Sequence, residues 1–95
     1  MKFLATEKEI KNADWSNTEG VLKDEAEHVY NLYLKGTIRE IYFNDENCAV
    51  LILECENKTA ATELLAAFPL ITSGLIKFEL TELRPYTGFK RLMQD

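Results

Sequence analysis

The apolar positions of this chain change period several times, and each change marks an element. Near the start, Phe3, Leu4 and Ala5 form a short apolar run suited to a buried strand over Lys2 to Glu7. The stretch Ile10 to Asn17 is polar and irregular apart from Ile10 and Trp15. Ser16-Asn17-Thr18 followed by Glu19 reads as a helix start with an acid in the first turn. From there Leu22, Ala26, Val29, Tyr30 and Tyr33 recur at offsets of four, seven, eight and eleven, which is one face of an α-helix. Gly36 follows as the residue that stops it, with Lys35 at the negative end of the helix dipole.

Thr37 to Phe43 is rich in β-branched and aromatic residues and predicts a strand, and Cys48 to Glu54 predicts another. The connection Asn44-Asp45-Glu46-Asn47 makes the two an antiparallel hairpin. Asn57 is placed to cap a second helix whose apolar stripe is Ala60, Ala61, Leu64, Leu65 and Phe68; Pro69 ends it by pushing Phe68 out of the helical region. In the last strand, Leu75 to Leu83, the residues Ile76, Phe78 and Leu80 alternate with Lys77, Glu79 and Thr81. Pro85 then lacks the donor a ladder needs, so the tail from residue 84 to 95 leaves the sheet. The order β-α-β-β-α-β predicts one α+β domain over residues 1–95 of ferredoxin-like type, a four-stranded antiparallel sheet with both helices on one face.

Two helices cover only one face of such a sheet, so a self-contained chain alternates apolar and polar residues along every strand. Here Ala49 to Leu53 is apolar on both parities, as are Ile41, Tyr42 and Phe43, and Phe3 with Leu4. An open face of that kind exposes more apolar surface than single soluble chains usually carry. A second copy laying its own sheet against this one is the economical cover, and it makes an eight-stranded barrel. Size agrees: a chain of 95 residues with 46% hydrophobic residues buries only about 60–65% of its extended surface on folding.

Charge and cysteine content narrow the function classes. Sixteen acids against eleven bases give a formal charge of −5, and with no basic cluster this opposes nucleic acid and anionic membrane surfaces. No apolar run approaches the roughly 20 residues of a membrane span, and the N-terminus lacks a signal-peptide core, so the cytoplasm is the expected compartment. If Cys48 and Cys55 end one strand, seven steps of about 3.3 Å hold them roughly 23 Å apart, beyond disulfide reach. One histidine and no Cys-x-x-Cys spacing argue against a metal site.

Glu25 is the acid that stands out, because on a helical wheel it falls between Leu22, Val29 and Leu32. A carboxylate there either is half buried against a cavity, which raises its pKa toward the range of a general base, or reaches solvent or an ion pair at the end of the stripe. His28 is the lone histidine and the default acid–base group, but it lies about 100° from Val29, on the flank of the stripe. Arg39 is suited to bind a carboxylate bidentately or to form a surface pair. Glu40 and Tyr42 share a strand parity with Ile38, opposite Arg39, Ile41 and Phe43. Tyr30 and Tyr33 read as core, with a hydroxyl available as a donor if they border a pocket. Lys77, Glu79 and Thr81 belong to the open face, and Tyr86 and Phe89 read as anchors that pack on the barrel or on a partner chain.

The stretch Glu25 to Phe89 resembles the muconolactone isomerase-like members of the dimeric α/β-barrel superfamily, through Gly36-Thr37-Ile38-Arg39, Phe68-Pro69-Leu70, and Leu75-Ile76-Lys77-Phe78-Glu79 leading to Arg84-Pro85-Tyr86. The resemblance implies a homodimer with a small-molecule pocket between helices and sheet. It implies a proton shift in an unsaturated lactone or small organic acid, made without metal or organic cofactor. Glu25 matches a glutamate of the isomerase in register, whereas Glu40 stands where the isomerase has a histidine. On this reading Glu25 is the base, His28 a second acid–base candidate, and Tyr33, Arg39, Glu40, Tyr42 and Leu70 the substrate contacts. A non-catalytic ligand-binding module and a cofactor-free monooxygenase are the alternative functions.

Overall fold

A computed structural model describes residues 1–93; Gln94 and Asp95, the end of the expected tail, lie outside the described residues. The elements are β1 (Lys2–Glu9), α1 (Glu19–Leu34), β2 (Ile38–Phe43), β3 (Ala49–Glu54), α2 (Lys58–Ala66), α3 (Pro69–Thr72) and β4 (Ile76–Leu83), with a 3₁₀ segment over Gly88–Met93; they follow the expected order with the short α3 inserted before the last strand. The four strands form one sheet in the order β2-β3-β1-β4, antiparallel at each pairing. This is the ferredoxin-like α+β arrangement.

Local chemistry accounts for the boundaries. β1 continues to Glu9 rather than ending at Glu7 because Glu7 and Glu9 pair with Phe78 and Ile76 of β4. Thr18 precedes α1 without a side-chain cap; its hydroxyl instead donates to the Trp15 carbonyl at 2.9 Å, which folds the preceding loop back on itself. Gly36 follows α1 at φ 82, a region open to glycine at no steric cost. In the hairpin, Asn44 Oδ1 accepts from the Glu46 and Cys48 amides, both at 3.0 Å. Asn57 caps α2 as expected, its Oδ1 accepting from Ala60 N at 2.8 Å. Pro69 does more than end α2: with Phe68 extended at φ −64 and ψ 134, it becomes the first residue of α3, where its missing N–H is not needed.

The core lies between sheet and helices. Phe3, Ala5, Leu51, Leu53, Ile38 and Phe68 are fully or almost fully buried there, with Leu32, Ala61 and Leu65. A second cluster of Leu70, Leu75 and Ile76 takes in the half-buried Trp15 and Val21 from the start of the first crossover. Both thiols are free.

Two expectations are corrected here. β2 carries a bulge between Ile38 and Glu40: Ile38 pairs with Leu53 and Glu40 with Ile52. The extra residue inverts the alternation, so Ile38 shares the helix-covered face with Ile41 and Phe43, and Glu40 with Tyr42 goes to the other face. The bulge cannot be read from the pattern of residue types. The second correction concerns α1, which turns Val21, Glu25, His28, Val29 and Leu32 toward the protein. The stripe expected to be its core face is displaced: Leu22, Tyr30 and Tyr33 are 45%, 60% and 51% exposed.

Candidate functional site

That rotation of α1 opens a cavity of about 560 Å³ between the helix and the sheet, inside the range of about 300–1,000 Å³ usual for small-molecule sites. α1 supplies one wall with Leu22, Glu25, Ala26, Val29, Tyr30 and Tyr33. The sheet supplies the other with Glu7 and Glu9 of β1, Ile41 and Phe43 of β2, and Ala49 of β3, while Asn47 borders it from the hairpin turn. Trp15 and Leu70 close one end. The short side chains Ala26 and Ala49 leave the space that larger residues on facing elements would fill.

Glu25 is the most constrained polar group of this cavity. Its Oε1 accepts from the Leu70 amide at 3.0 Å, a donor near the start of α3 that has no partner within that helix. No hydrogen bond reaches Oε2 among the described residues. Burial pushes the Glu25 carboxyl above the ordinary carboxylate range, the Leu70 amide draws it part of the way back, and the negative charge of Glu7 adds to the rise. Glu7 behaves alike: burial raises it, the Ala49 amide opposes the rise, and the charge of Glu9 reinforces it. The Ala49 N–H donates to Glu7 Oε1 at 3.3 Å. Glu25 and Glu7 thus favour their neutral form more than in water, the direction that makes a carboxylate a stronger base.

Of the residues singled out in the sequence, the structure brings together Glu25, Tyr33 and Leu70. Leu70 contributes its backbone donor as well as its side chain. Arg39 is not among the residues around the cavity; it sits on the bulge, exposed, and its charge acts on Glu54. Glu40 and Tyr42 are also elsewhere, because the bulge turned them to the open face, where Tyr42 donates to Glu40 Oε1 at 2.7 Å. His28 lies on the flank, its ring edge-on to Phe68 with centroids 4.9 Å apart, and its buried Nε2 has no partner among the described residues. It belongs to helix packing and not to the cavity. Tyr30, read as core, stands at the cavity wall instead.

Sequence reading missed Glu7, Glu9, Trp15, Phe43 and Asn47. For the first two a signal existed, since both share the parity of the buried Phe3 and Ala5 and therefore point to the helix side of β1. Trp15 gave none, because its place depends on how the loop folds around Asp14, whose Oδ1 accepts from Ser16 N at 2.9 Å and from Ser16 Oγ at 2.6 Å. Among the described residues no three His, Cys, Asp or Glu side chains converge as metal ligands would, and no helix is long and apolar enough to cross a membrane.

No family model and no curated protein matches the chain. Among solved structures, the fold is similar to that of 5-chloro-2-hydroxyhydroquinone dehydrochlorinase (TftG) from Burkholderia phenoliruptrix AC1100 in complex with 2,5-dihydroxybenzoquinone, at 18% identity and a TM-score of 0.65. The match covers 93% of this chain and 98% of that one. The likeness places this chain among proteins of the ferredoxin-like α+β fold.

Proposed function

We propose that this protein binds a small unsaturated ring compound in the cavity between α1 and the sheet, and isomerises it by cofactor-free proton transfer through Glu25. The observation that carries this reading is the Glu25 carboxylate itself: one oxygen is tied to the Leu70 amide and the other is free, at the edge of an apolar cavity. A base so held removes a proton α to a carbonyl and delivers it to a second carbon of the same ring, while Tyr30 or Tyr33 supplies a phenolic donor to the developing enolate. The resemblance to muconolactone isomerase-like proteins supports a lactone as substrate. The solved relative in fold, whose bound 2,5-dihydroxybenzoquinone is also a flat unsaturated ring, supports the same ligand shape. With no Lys, Arg or His around the cavity among the described residues, a lactone without a carboxylate fits better than the organic acid the sequence also suggested.

The open sheet face is proposed to pair with a second copy. Leu4 and Ile52 are opposite each other at its centre, beside Val50 and the exposed Tyr42. The tail supports association as well, since Tyr86, Phe89, Leu92 and Met93 are all exposed and Tyr86 packs edge-on to Phe89 within the tail itself.

The test is proton exchange. Incubated in D₂O with an unsaturated γ-lactone, the wild type is expected to accelerate loss of the α-proton signal, and Glu25→Gln to slow it by about 10²-fold or more. The wild-type rate should climb with pH as Glu25 loses its proton, with a midpoint above the ordinary carboxylate range. Exchange no faster than in buffer, or equal in Glu25→Gln, overturns the assignment.

A further inference from the structure

The cavity holds more negative charge than a proton shuttle requires. Glu7, Glu9 and Glu25 all border it, and among the described residues no Lys, Arg or His does. Nor is any of the three paired elsewhere: among the described residues the ion pairs are the N-terminus with Glu54 and Arg84 with Glu82. Glu7 is hydrogen-bonded by the Ala49 amide and the Cys48 side chain and Glu25 by the Leu70 amide, none of which supplies a positive charge. Glu7 and Glu25 are partly buried and Glu9 is exposed at the rim, and partly buried carboxylates without a cation are costly for a small domain to keep. A metal ion does not fit the vacancy, since the acids do not converge on one point. Glu7 and Glu9 are two residues apart on one face of β1, about 6.6 Å along the strand, which suits an ammonium group lying between them. Trp15, Tyr30 and Phe43 add aromatic faces, which attract a cation and stack on an unsaturated ring.

We infer that the cavity selects its ligand by charge, taking a flat unsaturated or aromatic compound that carries a protonated amine and rejecting a carboxylate of the same shape. The ammonium group lies toward Glu7 and Glu9 and the ring toward the aromatic side chains, so Glu25 on the opposite wall remains free. This deepens the ligand reading above and rests on the same cavity, but not on any proton transfer.

Trp15 is the sole tryptophan and borders the cavity, so its fluorescence reports occupancy. The probes are phenethylamine, phenethyl alcohol and phenylacetate, which share a body and differ in charge. Phenethylamine is expected to bind about tenfold or more tighter than phenylacetate, with the alcohol between them, and added salt should narrow the gap. The double variant Glu7→Gln with Glu9→Gln should reduce the preference to about threefold or less while circular dichroism shows it folded. Should it unfold, Glu9→Gln alone, at an exposed position, serves with a smaller expected reduction. Equal or tighter binding of phenylacetate, a preference that survives these substitutions, or no saturable response to any probe at millimolar concentration overturns the inference. Amine selectivity without lactone proton exchange keeps it and removes the proton-transfer reading; exchange together with a preference for phenylacetate does the reverse.

Discussion

Substituting Glu25 separates what its carboxylate contributes to the fold from what it offers to chemistry. The Leu70 amide donates to Oε1 at 3.0 Å, and Leu70 is 5% exposed, so water has little access if the acceptor is removed. Leaving such a donor unsatisfied costs about 1–3 kcal/mol. At about 4–8 °C per kcal/mol for a domain of this length, Glu25→Ala should lower Tm by on the order of 10 °C. Glu25→Gln keeps a carbonyl oxygen for the amide. It exchanges a charged acceptor worth about 1.5–3 kcal/mol for a neutral one worth about 0.5–1.5 kcal/mol, and in return removes a half-buried charge repelled by Glu7. The two changes oppose each other, and Gln should stay within about 1 kcal/mol of the wild type.

The pH dependence carries a definite sign. Glu25 binds its proton more tightly in the folded chain than in the unfolded one, chiefly because burial disfavours its charge. Between the ordinary carboxylate pKa and the raised folded value, the folded state therefore holds the extra proton, and stability falls as pH rises through that window. Below the window both states are protonated and the effect vanishes; above it the full penalty is present. Glu7 acts in the same direction, so the Gln variant retains the part of the slope that Glu7 contributes. Urea unfolding followed by circular dichroism at several values from about pH 4 to about pH 7 tests this, with Gln expected to gain on the wild type as pH rises. A difference that is flat, or that moves in favour of the wild type, refutes the burial of Glu25. An unchanged Tm in Glu25→Ala refutes the contact with Leu70.

Two further outcomes follow from other parts of the molecule. Ile52→Lys puts a charge at the centre of the open sheet face and should convert a species of twice the chain mass to single chains in light scattering, with the far-ultraviolet spectrum retained; an unaltered mass removes that face as the interface. Asn57→Ala deletes the cap on Ala60 N and should cost about 0.5–2 kcal/mol in urea unfolding; a loss below that range means water replaces the cap without penalty.

Period and punctuation carried most of the fold. Gly36, Asn57 and Pro69 act by their own backbone and side-chain chemistry, so their roles were legible from residue type alone. The alternation of Ile76, Phe78 and Leu80 told which side of β4 meets the helices for the same reason. The site was legible only in part. Glu25 stood out because a charge inside an apolar stripe is anomalous wherever the helix packs. Arg39, Glu40 and Tyr42 were misplaced by a single inserted residue, since a bulge shifts parity without leaving a mark in composition. The displacement of α1 was equally hidden: a broad apolar stripe permits more than one rotation, and the tertiary contacts of α1 are with α3 and β2.

That choice alters the meaning of the high apolar fraction. Read along the strands alone, the excess belongs to the sheet face that no helix covers, and a second copy accounts for it. In the folded chain, Leu22, Tyr30, Tyr33, Ile41 and Phe43 are all large, apolar and exposed, and all five border the cavity between α1 and the helix-covered face. A sheet-to-sheet dimer leaves them uncovered, because they are on the other side of the sheet. Leu4, Val50 and Ile52, which such a dimer would bury, are already half covered by their neighbours. The apolar surplus is therefore divided between two faces, so the proposed association and the proposed ligand contact draw on separate residues. Phe43, 76% exposed, shows why they must be distinguished: it is a strand residue by type and parity, yet it lies on the cavity side of the sheet, where the sheet of a second copy would not reach it. If that is correct, Ile52→Lys should abolish association and leave phenethylamine binding within about twofold of the wild type, whereas Phe43→Ser should weaken that binding by about tenfold and leave the oligomer intact. Coupled loss of both properties in either variant would mean that the cavity is completed by the partner chain.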